Sequence, residues 1–196
     1  MKTTKLEGKT VEEILEQIES DVIYKELEDK KGLFKGTTKV IEIVELSEIS
    51  DFVKEYLSKT IELMGIEANI EVKLREKIII IAVYSKENQL LIGKNGKTID
   101  AIRTVLKQAI YKEIGMYPRV NLDIGDYKKK KEHRIERTAK QIARDVAKSK
   151  VEAKLDPMNS YERRIVHSAL NDNKYVTTES AGVEPERYII IKPKEN

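Results

Sequence analysis

The sequence predicts an α+β protein made of three small modules, at residues 1–46, 47–125 and 126–196. Apolar residues switch repeatedly between the two-residue period of strands and the 3.6-residue period of helices. Glycine-bearing connections such as Lys30-Lys31-Gly32-Leu33-Phe34-Lys35-Gly36 separate these stretches. The 196 residues are 40% hydrophobic and 36% charged, with two Phe, nine Tyr and no Trp. That composition suits several solvated modules better than one large core.

The elements follow in order. Residues 3–6 read as a short strand. Thr10 caps a helix, with Glu13 completing a capping box, and Val11, Ile14, Leu15 and Ile18 fall at helical spacing. Residues 22–27 and 39–44 read as strands. Ser47 is the expected cap of the next helix, whose stripe is Ile49, Phe52, Val53, Tyr56, Leu57, Ile61 and Met64, with Gly65 ending it. A hairpin turning at Glu76-Lys77 joins strands 67–74 and 77–85, and the second, apolar on both faces, reads as central. A short helix at 87–91 precedes Gly93-Lys94-Asn95-Gly96. A long helix follows with apolar Ile99, Ile102, Val105, Leu106, Ala109, Ile110 and Ile114, then Gly115 and an alternating strand at 119–124. Residues 127–150 form a basic helix opening with Lys128, Lys129, Lys130 and Lys131. A strand at 151–155, a helix at 160–170 capped by Asn159, and strands at 175–179 and 187–192 complete the chain.

Several function classes fall away. Without cysteine there are no disulfides, iron–sulfur clusters or thiolate zinc sites, and two histidines, His133 and His167, exclude a multi-histidine metal site. The first twenty residues lack the apolar core of a signal peptide. The longest strongly apolar run, 78–84, is far short of the ~20 residues of a membrane helix. A cytoplasmic protein with no cofactor and no membrane insertion is expected.

Charge is unevenly spread. Residues 1–50 carry 8 Lys/Arg against 12 Asp/Glu, a net −4; residues 51–124 carry 12 against 10, a net +2; residues 125–196 carry 17 against 12, a net +5. The later segments therefore suit a polyanionic partner.

The first motif is Ile92-Gly93-Lys94-Asn95-Gly96-Lys97-Thr98-Ile99. Two glycines allow a tight turn and close backbone approach. The start of the following helix offers outward N–H groups and a positive dipole end. Lys94 and Lys97 add charge near phosphates, and Ile92 and Ile99 are expected to floor a groove for unstacked bases. A Walker loop would need glycine five positions before Gly96, where Leu91 stands. The order helix, strand, strand, short helix, Gly-x-x-Gly, long helix, strand over 47–125 resembles a K-homology (KH) domain of type II topology. That resemblance implies a loop clamping about four nucleotides of a single strand.

The second motif is Arg163 and His167, one helical turn apart, with Arg164 adjacent. Arginine offers a planar fork for phosphate oxygens, and histidine a donor plus a stacking ring. Leu155-Asp156-Pro157-Met158-Asn159 precedes the pair and Thr177-Thr178-Glu179-Ser180-Ala181-Gly182 follows it. This order resembles the Arg-x-x-x-His domain of the bacterial Jag (SpoIIIJ-associated) family, which binds single-stranded nucleic acid. The Lys128–Lys131 run is read as a phosphate contact.

Jag proteins join a small Jag N-terminal domain, a KH domain and an Arg-x-x-x-His domain, and this chain has a candidate for each in that order. Lys31, Gly32, Leu33 and Phe34 resemble the Jag domain's turn and are read as a protein-contact surface. Lys35 stands where that pattern has glycine.

The expected function is non-catalytic binding of single-stranded RNA, with single-stranded DNA not distinguished. The resemblance implies a post-transcriptional regulator linked to cell elongation, division and envelope growth, and partnership with a small KH-only protein. A homodimer is a further candidate assembly. The competing reading is a protein-interaction adaptor with vestigial nucleic-acid surfaces. A hydrolase or nuclease is disfavoured by the loop spacing and the scattered acids.

Overall fold

The computed structural model describes residues 1–31 and 37–194. The chain forms two compact units, Met1–Gly125 and Asp126–Asn196. Both mix helices and strands, as expected of an α+β chain.

The first unit opens with β1 (Thr4–Gly8), α1 (Val11–Glu16), β2 (Val22–Glu26), β3 (Lys30–Lys31) and β4 (Thr37–Glu45). β4 is central: β1 runs antiparallel along one edge, β2 and β3 along the other. Ile41 and Ile43 of β4 pack with Ile14 of α1, surrounded by Leu6, Val11, Leu15, Ile18 and Val22. Val40 and Val44, on the opposite face of β4, are buried as well. Half of the expected capping box forms. Thr10 Oγ1 accepts from Glu13 N–H at 3.2 Å, but the Glu13 carboxylate accepts from Lys9 N–H rather than from Thr10. β3 falls where the sequence reads as a connection. Its two residues reveal themselves only by pairing with Thr37 and Thr38.

β4 passes without a linker into α2 (Leu46–Leu63). Ser47 is not the cap. The helix starts two residues earlier than a Ser47 cap implies, Glu45 holds the capping position without a side-chain cap bond, and Ser47 Oγ donates to the Glu45 carboxylate at 3.2 Å. Leu46 is buried, so core packing rather than a polar cap sets this start. The far end is as the sequence indicates. Gly65 has φ +74°, its N–H donates to Glu62 C=O, and Ile66 N–H donates back to Ile61 C=O, a Schellman closure.

β5 (Ala68–Arg75), β6 (Ile78–Ser85) and β7 (Arg119–Ile124) form a sheet with β6 central, antiparallel to β5 and parallel to β7. Glu76 and Lys77, both at positive φ, make the two-residue hairpin turn. The parallel pairing of β6 and β7 requires a crossover. It consists of α3 (Asn88–Ile92), one 3₁₀ turn at Lys94–Gly96, and α4 (Lys97–Ile114). The buried residues Ile99, Ile102, Leu106, Ile110 and Ile114 line one stripe of α4.

The second unit contains α5 (Tyr127–Ser149), β8 (Ala153–Lys154), α6 (Ser160–Leu170), β9 (Val176–Ala181) and β10 (Tyr188–Pro193), with β10 between β8 and β9. Its core joins Ala139, Ala143 and Val146 of α5, Val166 and Leu170 of α6, and Val176, Ile189 and Ile191 of the sheet. The strand expected at 151–155 shrinks to two residues, because β10 offers it only two partners, Ile190 and Ile191.

Candidate nucleic-acid interfaces

In the first unit the loop after α3 is shaped by its glycines. Gly93 adopts φ 71° and ψ 178°, a region essentially restricted to glycine. A Cβ there would lie 2.1 Å from Thr98 Oγ1 and 3.0 Å from Thr98 N. The sequence suggests a glycine that lets a ligand approach; the structure adds that Gly93 makes room for the chain's own Thr98. Asn95 (φ 57°) and Gly96 (φ 88°) follow in left-handed conformations, which asparagine tolerates better than most residues. Gly93 N–H donates to Gln89 C=O at 2.8 Å and Gly96 N–H to Gly93 C=O at 3.2 Å.

Gly96 is also the N-cap of α4, and no side chain caps this end. The Lys97 N–H closes the 3₁₀ turn onto Lys94 C=O, and the positive dipole end and the remaining first-turn N–H groups have no capping side chain. Lys94, Asn95 and Lys97 are exposed around them. On the other flank of α4, Arg103 pairs with Asp100 at 2.5 Å and donates to Leu122 C=O at 3.2 Å, fastening the helix to β7.

The expected apolar floor needs correction. Ile92 is half-buried, but Ile99 is only 2% exposed and belongs to the core stripe. Thr98, Ala101 and Val105 instead lie along one flank of α4, at helical spacing from the loop. Val105 there is 51% exposed, and Leu90 of α3 is 60% exposed. A helical wheel drawn from Thr98 would have found this flank; reading every isoleucine near the loop as ligand-facing missed it.

In the second unit α6 starts on a full capping box. Asn159 Oδ1 accepts from Glu162 N–H at 3.0 Å, and the Glu162 carboxylate accepts from Asn159 N–H at 3.1 Å. Arg163 and His167 do share a face, but Arg163 is not an open fork. It is 7% exposed, donates to Met158 C=O at 2.8 Å and pairs with Glu184 at 2.8 Å. Arg164, about 100° further round the helix, is exposed. His167 lies between them, half-buried. Its Nδ1 is 2.7 Å from Thr178 Oγ1 and its Nε2 is 2.9 Å from Ser180 Oγ, both on β9. Burial first, and then the charge of Arg163, hold the imidazole pKa below the usual histidine value.

The basic start of α5 divides in the same way. Lys128, Lys129 and Lys130 are exposed, with the Lys128 ammonium 5.3 Å from the centre of the Tyr161 ring. Lys131 is half-buried, pairs with Glu162 at 2.6 Å and lies over Tyr127. Burial opposes its charge, but the hydrogen bond and charge of Glu162, with Tyr127 adding, raise its pKa on balance. Tyr161, not singled out from sequence, is 46% exposed and donates its hydroxyl to Glu132 at 2.5 Å.

Lys31 lies in β3, whereas Gly32, Leu33 and Phe34 of the expected protein-contact turn lie outside the described residues. Among the described residues, no group of three or more His, Asp or Glu could hold a metal, and no helix is long and apolar enough to cross a membrane.

Family models match parts of both units. A KH-domain family model of the KhpA/KhpB type matches residues 50–124, and the family model of the Arg-x-x-x-His domain matches residues 133–193. The chain is 36% identical over 148 residues to RNA-binding protein KhpB of Clostridium symbiosum, covering 74% of this chain and 67% of that one. It is 28% identical over 165 residues to the Bacillus subtilis protein of the same name, covering 83% and 79%. With the Lactiplantibacillus plantarum KhpB it shares 30% over 137 residues, 70% of this chain and 42% of that one. With both domain types present in this order, the chain belongs to the KhpB (Jag) family.

Proposed function

We propose that this chain is a non-catalytic, single-stranded RNA-binding protein in which the Gly93-Lys94-Asn95-Gly96 loop clamps the sugar-phosphate backbone. The observation that carries this reading is the start of α4. No side chain caps it, a Gly-only conformation at Gly93 forms the turn before it, and Lys94 and Lys97 flank it. First-turn N–H groups beyond Lys97, a positive dipole end and two ammonium groups together suit phosphate oxygens. The exposed Val105 flank gives unstacked bases an apolar surface. Relatives named RNA-binding protein support RNA as the polymer.

The proposed modules are 1–46, 47–125 and 126–196. The second and third supply separate weak contacts that gain avidity on one long strand. Family membership extends the reading to cytoplasmic post-transcriptional regulation tied to cell elongation, division and envelope growth, with a small KH-only protein as partner. The test is fluorescence anisotropy of a labelled single strand over a salt series, with labelled ATP in parallel. RNA binding should weaken by about 0.7 log units per phosphate contact for each log unit of salt. A salt-independent signal, or tight ATP binding without RNA binding, would sink the proposal.

A further inference from the structure

We infer that Thr178 and Ser180 are positioning residues that set His167 as a stacking platform for an unpaired base, so that this face of the second unit reads a base rather than a phosphate. The inference rests on the RNA-binding reading above and deepens it. Nδ1 and Nε2 flank Cε1 on one edge of an imidazole ring. Both are within hydrogen-bond distance of hydroxyls two residues apart on β9. Alternate residues of a strand share a face, so one strand face supplies both partners.

A hydroxyl both donates and accepts, so the pair satisfies either neutral tautomer. With its polar edge committed, the ring has only carbon left to offer a ligand, on its faces and its Cδ2 edge. A phosphate oxygen could reach a ring nitrogen only by breaking one of these bonds. A base could stack without breaking either, and every base has a π-face.

The neighbouring charges fit this division. Arg163 is spent on Met158 and Glu184, while the exposed guanidinium of Arg164 stands three residues from His167 on the same helix. Arg164 thus takes the phosphate next to the stacked base. The lowered pKa of His167 fits a ring that binds uncharged.

The full chain has two histidines, so His167 ring protons can be followed directly by proton NMR. The probes are oligouridylate and a strand of the same length with stable abasic riboses. Oligouridylate should move the His167 Hδ2 signal upfield, and the abasic strand should leave it in place. Thr178→Val with Ser180→Ala should weaken the His167 response to oligouridylate about tenfold. Thr178→Ser with Ser180→Thr, which keeps both hydroxyls, should restore it. Equal movement with both strands would overturn the inference in favour of phosphate contact. So would an unmoved His167 while signals of the Gly93–Gly96 loop respond. Silence everywhere in the chain would defeat the RNA-binding reading itself.

Discussion

Gly93 and Thr98 are fitted to each other so closely that the smallest possible side chain on the first would overlap the hydroxyl of the second, at 2.1 Å. The clamp loop therefore carries a structural demand alongside any functional one. A variant at Gly93 is a folding variant before it is a binding variant.

The first prediction follows. Gly93→Ala should lower stability by about 1–3 kcal/mol, the cost of a side chain held in a sparsely populated backbone region. Urea unfolding checks this, and wild-type stability would mean the loop relaxes freely.

Lys97→Glu should separate binding from stability with opposite signs. A carboxylate in the first turn of α4 favours the helix by about 0.3–1 kcal/mol. The same carboxylate repels phosphate at the loop. Melting temperature should hold or rise while affinity for a single strand falls several-fold, and adding Lys94→Asp should deepen that loss. Melting curves and anisotropy on one preparation test both halves.

Arg163 and Arg164 should part company. Arg163→Ala leaves Met158 C=O without its guanidinium partner and should cost about 2 kcal/mol or more. Arg164→Ala, at an exposed position, should change stability by less than about 0.5 kcal/mol. It should nevertheless weaken binding of a long strand by up to about tenfold. Equal stability losses would show that Arg164 also has a structural bond.

Acid should loosen the second unit through His167. Its folded pKa lies below the unfolded value, so the folded protein takes up that proton less readily than the unfolded chain. This contribution is complete above the unfolded pKa of about 6.5 and is lost as pH falls through the folded value. Melting temperature followed from pH 8 downward should show a drop that His167→Gln flattens and His133→Ala does not.

The chain's legibility varied with how local each cause was. Gly65 and Gly115 announced the helix ends because left-handed closure needs only neighbouring residues. Asn159 announced the start of α6 for the same reason. The central place of β6 was readable because its residues are apolar on both faces. Ser47 misled because the true start at Leu46 is set by burial. Ile99 misled because proximity to the loop in sequence says nothing about which side of α4 it faces. The partners of Arg163 and His167 were invisible. Glu184, Thr178 and Ser180 reach them only after β9 and the loop beyond it have folded back.

The strand order β1-β4-β2 also bears on how the chain is made. β4 inserts between two strands that precede it, so β1 and β2 cannot zip together as they leave the ribosome. Thr4 waits for Ile43, and Gly8 for Lys39. Through that interval β1 has no strand partner, and its apolar Leu6 has no Ile41 opposite it. Nascent edges of this kind invite pairing with other chains. Lys5 and Glu7 alternate with Leu6 along β1, and Lys25 and Glu26 end β2. Charge on the strands that must wait discourages neighbouring nascent chains from filling the gap before β4 arrives.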